Sequence, residues 1–133
     1  MAKQKTILIA DDEVQLALAV KIRLQSQGYR VVTAPDGQQT LELLAQEVPD
    51  LVILDILMPV MDGYSCLREM NRLYGRGRVP VIVLTARDRM KDLFELEGIE
   101  DYVIKPFDHE DLLLRIERVL KRRAAAGAAP PMP

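Results

Sequence analysis

The sequence predicts an α/β domain with three layers, in which helices cover both faces of a five-stranded parallel sheet. Two observations lead to this expectation. Strand-like runs of valine, isoleucine and leucine alternate along the chain with segments of helical periodicity. These runs are nearly continuous in apolar residues rather than apolar at every second position, which is typical of parallel strands buried on both faces. Right-handed crossovers then place helices above and below the sheet, in a doubly wound arrangement.

The strands and helices follow one another in order along the chain. We expect strands at residues 7–10, 29–33, 51–54, 81–84 and 102–104. Helices are expected at residues 14–27, from 37 onward, after 63, near 90–97 and at about 108–123. Their apolar faces are formed by Ala17, Val20 and Leu24; Leu41, Leu44 and Ala45; Leu67 and Met70; and Leu112, Leu113, Ile116 and Leu120. Gly28 and Gly98 follow the first and fourth helices, where glycine commonly ends a helix, and the pairs Asp36-Gly37 and Asp62-Gly63 begin the second and third.

Length and charge narrow the class of protein. A chain of 133 residues, 49% apolar and 29% charged, fits one globular domain with a core of ordinary size. Eighteen lysines and arginines against twenty acidic residues leave a formal charge of -2. This balance is unsuited to wrapping nucleic acid or an anionic membrane. We therefore expect neither as a direct partner of this domain.

The cysteine count and the absence of long apolar runs indicate a location. A single cysteine, Cys66, cannot form an internal disulfide, and no apolar stretch reaches the ~18 residues of a membrane span. The N-terminus runs into the first strand without the apolar core of a secretory signal. We expect a cytoplasmic protein in which Cys66 is a small packing residue.

Polar residues follow four of the five strand-like runs. Asp11-Asp12 comes after the first run, Asp55 after the third, Thr85 after the fourth and Lys105 after the fifth. In a doubly wound fold, the carboxyl ends of the strands meet at a crevice where ligands bind. Carboxylates, an alcohol and an ammonium would therefore gather there, and this set suits phosphoryl chemistry with a hard metal ion.

Charge repulsion within this group predicts a metal. Two carboxylates ~4 Å apart repel by about 4 kcal/mol at an effective dielectric constant near 20, so Asp11, Asp12 and Asp55 need a compensating cation. One lysine does not suffice. Ligands that are all oxygen favour Mg²⁺, for which Mn²⁺ can substitute, and we expect Asp12 and Asp55 to hold it. Asp55 is the best candidate nucleophile because it ends the third, central strand and a carboxylate can form an acyl phosphate.

Two further groups would bind the phosphorylated product. The Thr85 hydroxyl and the Ala86 amide can donate to phosphoryl oxygens, and the Lys105 ammonium can pair with another. Simpler roles exist for some of these residues. Asp11-Asp12 alone reads more readily as a helix N-cap pair, and Thr85 as a strand-end hydroxyl bonded locally. Asp55 and Lys105 shift the balance toward a functional site.

Four motifs carry a resemblance to a known family. They are Ala10-Asp11-Asp12-Glu13, residues 54–59 followed by Met61-Asp62-Gly63, Leu84-Thr85-Ala86, and residues 101–107. Together they resemble the receiver domain of two-component response regulators, of the CheY-like superfamily, over residues 5–123. The resemblance implies a flavodoxin-like fold with strand order 2-1-3-4-5.

The resemblance also implies a function. It implies a phosphorylation-activated switch, in which Asp55 receives a phosphoryl group from a sensor histidine kinase or a histidine phosphotransfer protein. The Leu57 carbonyl would be a further metal ligand, and Asp11 would act through water. Tyr102 would rotate inward and change the face formed by helix 4, strand 5 and helix 5, which would control an output domain, an effector protein or a homodimer. The resemblance further implies a cis Lys105-Pro106 bond.

Two other classes of phosphate-binding protein fit the sequence less well. A haloacid-dehalogenase-type phosphatase needs a second acid two residues after its nucleophile, where this chain has Leu57. A nucleotide- or flavin-binding protein needs a phosphate loop after the first strand, where Asp11-Asp12-Glu13 would repel phosphate. A degenerate or stand-alone receiver that docks a protein or relays phosphate remains the alternative. We expect a phosphoacceptor that assists its own phosphorylation and dephosphorylation, rather than a turnover enzyme.

Two segments depart from the expected pattern. The stretch between Thr85 and Lys105 is somewhat short for the family, so we expect a shortened or repositioned fourth helix. Residues 1–123 would form the receiver domain. Residues 124–133, rich in alanine and proline, would form a flexible tail or the start of a linker.

Overall fold

A computed structural model describes residues 4–87 and 89–128, with side chains to residue 126. Five strands alternate with five helices along this part of the chain. The strands are β1 Thr6–Ala10, β2 Arg30–Ala34, β3 Leu51–Leu54, β4 Val81–Thr85 and β5 Asp101–Ile104. The helices are α1 Val14–Ser26, α2 Gly37–Gln46, α3 Gly63–Tyr74, α4 Lys91–Leu96 and α5 His109–Ala128. The predicted alternation is confirmed.

The strands form one parallel sheet in the order β2-β1-β3-β4-β5. Leu8 of β1 pairs with Val32 on one side and with Val52 of β3 on the other. The chain order therefore reverses at β1, and the carboxyl ends of β1 and β3 border the crevice where ligands bind in such sheets. The predicted fold and strand order are confirmed.

Two apolar cores lie on opposite faces of the sheet because successive strand side chains point to opposite sides. Ile7, Ile9 and Ile53 pack with residues of α1 and α5 on one face. Leu8 and Val52 pack with residues of α2, α3 and α4 on the other. Every residue of β1, β3 and β4 is buried. This burial on both faces explains why β1, β3 and β4 are apolar along nearly their whole length.

Two helices begin at aspartate caps. The Asp36 carboxylate accepts a hydrogen bond from the Gln39 amide at 2.7 Å, at the start of α2. The Asp62 carboxylate accepts one from the Ser65 amide at 2.8 Å, at the start of α3. Such caps typically contribute ~1 kcal/mol each. They fix where both helices leave the edge of the sheet that carries the acidic residues.

Some boundaries differ from the expectation. β2 lies one residue later than predicted, and in α2 Thr40 is buried while Ala45 is exposed. α4 has six residues and lies within the short helix expected near residues 90–97. α5 continues to Ala128, past Arg123, because alanine has the highest helix propensity. The rest of the predicted tail, residues 129–133, lies outside the described part of the chain.

The described residues contain no helix with both the length and the apolar character needed to span a bilayer. The longest helix, α5, carries acidic residues in its first turn, Glu110 and Asp111. Cys66 is a free thiol on the buried face of α3, in agreement with the packing role predicted for it.

Candidate functional site

Backbone hydrogen bonds extend the sheet just beyond its strands and align the polar residues there. The Asp55 amide donates to the Ala10 carbonyl at 2.9 Å, and the Lys105 amide donates to the Thr85 carbonyl at 2.7 Å. Each residue thus begins its loop in register with the neighbouring strand. The sheet topology therefore sets where Asp55 and Lys105 stand.

Three aspartates converge at this edge. Asp11, Asp12 and Asp55 each offer a carboxylate oxygen, and these oxygens lie within 4.8 Å of one another. Asp11 and Asp55 are buried, whereas Asp12 is exposed. The sequence prediction that these carboxylates cluster matches this geometry.

Lys105 lies between the acids. Its ammonium is 2.8 Å from Asp11, 3.1 Å from Glu13 and 3.3 Å from Asp55. The Lys105 side chain is only 10% exposed. Burial lowers its pKa, but hydrogen bonds to Asp11 and Glu13 and the charges of Asp11 and Asp55 outweigh this, and the net effect raises the pKa. Lys105 is therefore held in its charged form.

The lysine does not balance the acids. Burial raises the pKa of Asp11, although the hydrogen bonds from Lys105 and the Glu13 amide act in the opposite direction and the charge of Asp55 adds to the increase. Glu13 and the three aspartates together bring four carboxylates to one ammonium. A group of carboxylate oxygens with excess negative charge fits a hard divalent cation such as Mg²⁺.

One oxygen of each buried aspartate is fixed by the backbone. Asp55 Oδ1 accepts from the Ile56 amide at 2.7 Å, and Asp11 Oδ1 accepts from the Glu13 amide at 2.9 Å. The second oxygen of each faces Lys105. Both carboxylates are thereby oriented, which is a condition for efficient chemistry at a bound group.

Gly63 supports the backbone directly behind Asp55. A Cβ atom at Gly63 would lie 2.0 Å from the Asp55 carbonyl oxygen, so only glycine fits there. The Gly63 amide also donates to the Ile56 carbonyl at 2.7 Å. The sequence predicts that Asp62-Gly63 begins the third helix, but nothing local in that pair indicates this close approach.

Thr85 is the last residue of β4, and Tyr102 lies within β5. Thr85 is 1% exposed, and its hydroxyl accepts from the Arg87 amide at 3.3 Å. Tyr102 is buried, its ring lies 6.0 Å from that of Phe94, and its hydroxyl donates to the Arg87 carbonyl. Both residues therefore bond the Arg87 backbone, in the loop that begins with the exposed Ala86.

The resemblance implied two backbone features near the site, at Pro106 and at Leu57. The Lys105-Pro106 bond is cis, as the resemblance implied. The Leu57 side chain is 53% exposed, and the role of its carbonyl as a metal ligand remains a prediction.

Glu13 was missed as a site residue. Its carboxylate contacts the Lys105 ammonium although the side chain is 59% exposed. The signal available in the sequence was its place directly after Asp11-Asp12, which is also an ordinary place for an acidic residue at the start of a helix.

A cluster of acids with an interposed lysine, at the carboxyl edge of a sheet with this strand order, defines the class of receiver domains. Comparison with protein families agrees: residues 7–117 match the response regulator receiver domain. The chain belongs to this family. Its members are signalling proteins of two-component systems, rather than conventional enzymes, and bind Mg²⁺ in an acidic pocket.

Relatives with described functions are longer than this chain. It is 45% identical over 126 residues to the "probable transcriptional regulator ycf27" of Guillardia theta, covering 93% of this chain and 48% of that protein. It is 37% identical over 120 residues to the response regulator GtcR of Aneurinibacillus migulanus, covering 89% of this chain and 48% of that protein. The chain thus spans about half the length of the curated relatives it matches.

Solved structures are similar over nearly all of this chain. A CheY-like receiver domain protein from Methanospirillum hungatei is 28% identical with a TM-score of 0.86, covering 93% of this chain and 99% of that one. TrrA of Thermotoga maritima, solved in complex with Mg²⁺ and BeF, is 30% identical with a TM-score of 0.78, covering 87% and 99% respectively.

Proposed function

We propose that the chain is a phosphorylation-activated switch whose phosphoacceptor is Asp55. The observation that carries this proposal is the Lys105 ammonium, 3.3 Å from Asp55 and 2.8 Å from Asp11, in a group with more acids than cations. Because three carboxylates contact one ammonium, ion pairing alone leaves net negative charge at the site. Excess carboxylate at one crevice leaves the site prepared for a cation and for an incoming phosphoryl group.

The reaction transfers a phosphoryl group to the Asp55 carboxylate. One oxygen of Asp55 attacks phosphorus in line with the bond from phosphorus to nitrogen in a phosphohistidine donor. That bond breaks, its electron pair returns to the imidazole, and the ring leaves as the neutral form once it carries one proton. The product is an acyl phosphate.

Asp11, Asp12, Asp55 and the Leu57 carbonyl would hold Mg²⁺ or Mn²⁺. When bound, the cation offsets the negative charge of the carboxylates and of the phosphoryl oxygens that approach them. The all-oxygen donor set of the three aspartates supports this assignment.

Thr85, Ala86 and Lys105 would bind the product. The Thr85 hydroxyl accepts a 3.3 Å hydrogen bond from the Arg87 amide, so its own proton could be donated to a phosphoryl oxygen, together with the Ala86 amide. Lys105 would exchange one of its carboxylate partners for a phosphoryl oxygen.

Tyr102 would transmit the movement of Thr85 to the surface formed by α4, β5 and α5. Because Thr85 and Tyr102 both bond the Arg87 backbone, a shift of Thr85 alters the acceptor of the Tyr102 hydroxyl. Tyr102 belongs to β5 and packs on Phe94 of α4. The face formed by α4, β5 and α5 would change in response, and an output domain, an effector or a second copy of the chain would sense it.

The phosphodonor would be a histidine kinase or a histidine phosphotransfer protein. An apolar stripe on α1 supports a helical surface on that donor. Val14, Leu18 and Ile22, spaced one helical turn apart, are 71%, 52% and 57% exposed. The stripe starts just after Asp11-Asp12, beside the proposed acceptor.

Labelling with acetyl phosphate and Mg²⁺ tests the proposal. Intact-mass analysis should show one added phosphoryl group, and no label should form when the metal is chelated before acetyl phosphate is added. Asp55→Asn should remove the label, and undiminished labelling of this variant would refute the assignment of Asp55. Thr85→Ala should keep the label but lose the phosphorylation-dependent amide shifts in α4 and α5, whereas equal shifts in variant and parent would contradict its role.

A further inference from the structure

Val60 occupies an unfavourable backbone conformation. Its φ is +68°, and it is the one residue other than glycine with positive φ in the described part of the chain. The Met61 amide donates to the Pro59 carbonyl at 2.7 Å, so Val60 is the central residue of a γ-turn. Turns of this kind with a positive central φ are rare and strained, and a β-branched residue fits them poorly.

The Val60 side chain gains no compensating burial within the chain. It is 82% exposed, more than any other large apolar side chain in the described ranges. Glycine or asparagine would occupy this conformation at lower cost. A strained position that keeps an exposed apolar side chain indicates a role outside the folding of this domain.

The segment around Val60 is held rigidly by its flanks. The Gly37 amide donates to the Met61 carbonyl at 3.0 Å, and the Gly63 amide donates to the Ile56 carbonyl at 2.7 Å. A Cβ atom at Gly37 would lie 2.5 Å from the Met61 oxygen, which shows how tightly α2 covers the loop. The Val60 side chain is therefore presented from a fixed loop, and this loop starts at Asp55.

We propose that Val60 is a specificity-determining contact for the protein that delivers the phosphoryl group. The inference rests on the proposed function, because it assumes a macromolecular donor that must approach Asp55 from the carboxyl edge of the sheet. Such a donor would present an apolar patch beside its phosphohistidine. An exposed apolar side chain on a rigid loop loses little conformational freedom when it is covered, which favours binding.

Val60→Asn tests this role. Asparagine relieves the backbone strain but removes the apolar contact. The matched control is Val48→Asn, because Val48 is 53% exposed and precedes β3, at the opposite end of the strand from Asp55. The protein donor is an autophosphorylated histidine kinase, selected from a purified panel as the fastest donor to the parent chain. Labelling by acetyl phosphate is measured in parallel.

We expect kcat/KM for transfer from the kinase to fall about tenfold in Val60→Asn, equivalent to ~1.4 kcal/mol of interface free energy. Acetyl phosphate labelling should change less than about twofold, Tm should rise, and Val48→Asn should match the parent in both reactions. Val60→Ile, which keeps an apolar β-branched side chain, should retain transfer.

Three results would overturn the inference. Equal transfer from the kinase to Val60→Asn and parent would show that Val60 does not contact the donor. A parallel loss of acetyl phosphate labelling would mean that Val60 affects the phosphorylation reaction at Asp55 itself, rather than recognition of the protein donor. Unchanged transfer with an altered oligomeric state would assign the side chain to a second copy of the chain. Failure of the parent chain to accept phosphate from acetyl phosphate would instead refute the proposed function.

Discussion

The side-chain amide of Asn71 on α3 donates a 2.8 Å hydrogen bond to the carbonyl of Glu97, the C-cap residue that directly follows α4. The same amide is 3.3 Å from the Glu97 carboxylate, which also accepts from the Tyr64 hydroxyl at 3.2 Å. The Arg76 guanidinium donates to the Leu96 carbonyl at 3.0 and 2.8 Å. The short helix is therefore attached to α3 at its C-terminal end.

Asn71→Ala should loosen α4. The substitution removes the donor to a C-terminal carbonyl that has no partner within the helix, and we expect a loss of ~1 kcal/mol in the free energy of unfolding. Amide hydrogen exchange in residues 91–97 should become faster. Arg72→Ala, at the next position of α3, is the control and should change little, since its contact with Glu69 lies at the surface. Unaltered exchange in Asn71→Ala would show that the other contacts of α4, such as the Arg76 hydrogen bonds and the packing of Phe94, hold it without Asn71.

The acid cluster predicts that Asp55→Asn stabilises the chain without metal but weakens its stabilisation by Mg²⁺. Asp55→Asn removes one of the crowded charges, so Tm without Mg²⁺ should rise by about 2–4 °C. In the parent, Mg²⁺ at a hundredfold excess over Kd should stabilise by ~2.7 kcal/mol, and this gain should shrink in Asp55→Asn and in Asp12→Asn. Thermal unfolding with and without Mg²⁺ measures both. A fall in the metal-free Tm of Asp55→Asn would mean that the pairing with Lys105 outweighs the repulsion.

Cys66 should resist thiol reagents in the folded state. Burial raises its pKa to about 12, and the charges of Asp62 and Asp36 act in the same direction. Because the folded pKa lies above the ordinary value of 9.0, the associated stability is fully present below pH 9 and is lost as pH rises toward 12. The rate of reaction with a disulfide reagent should stay low at pH 8 and rise sharply in urea. Fast reaction of the folded chain at pH 8 would place the thiol at the surface.

His109 should titrate below pH 6.5. Burial lowers its pKa, the charge of Arg23 adds to this, and Asp108 partly opposes it. A depressed folded pKa means that the contribution to stability is present above pH 6.5 and is lost as pH falls. Arg23→Gln should move the NMR titration midpoint upward, whereas Arg30→Gln, whose partner is Glu47, should leave it unchanged. Equal midpoints in Arg23→Gln and parent would exclude the charge of Arg23 as a cause.

Much of the fold and the acid site was predictable because the relevant signals are local. Buried parallel strands need continuous apolar runs, and a residue that follows a strand must stand at the edge of the sheet. Asp11, Asp55 and Lys105 each directly follow a strand, so the topology alone brings them together.

Other features depend on contacts between segments that are distant in sequence. Nothing near Glu13 shows that its carboxylate meets Lys105, and nothing near Val60 shows a positive φ. The tie between Asn71 and Glu97 also requires the packed arrangement of α3 and α4. Three-dimensional approach, rather than local propensity, determines these features.

Gly63 and Gly28 are required for two different reasons. At Gly63 a neighbouring backbone atom leaves no room for a Cβ atom, whereas at Gly28 the backbone has a positive φ. Gly63→Ala should destabilise the chain by about 3 kcal/mol or more, because its Cβ would stand 2.0 Å from the Asp55 carbonyl oxygen and backbone must move. Gly28 has φ +93° with nothing within 4 Å of a Cβ, so Gly28→Ala should cost only ~1–2 kcal/mol of backbone strain. Urea unfolding gives both values.

The two variants should also differ at the acid site. The displacement in Gly63→Ala acts on the backbone of Asp55, so acetyl phosphate labelling should slow even under conditions in which the chain is fully folded. Gly28 lies between α1 and β2, at the amino end of the strand, and Gly28→Ala should label at the parent rate. Equal losses of stability, or normal labelling of folded Gly63→Ala, would show that the loop behind Asp55 yields without disturbing the carboxylate.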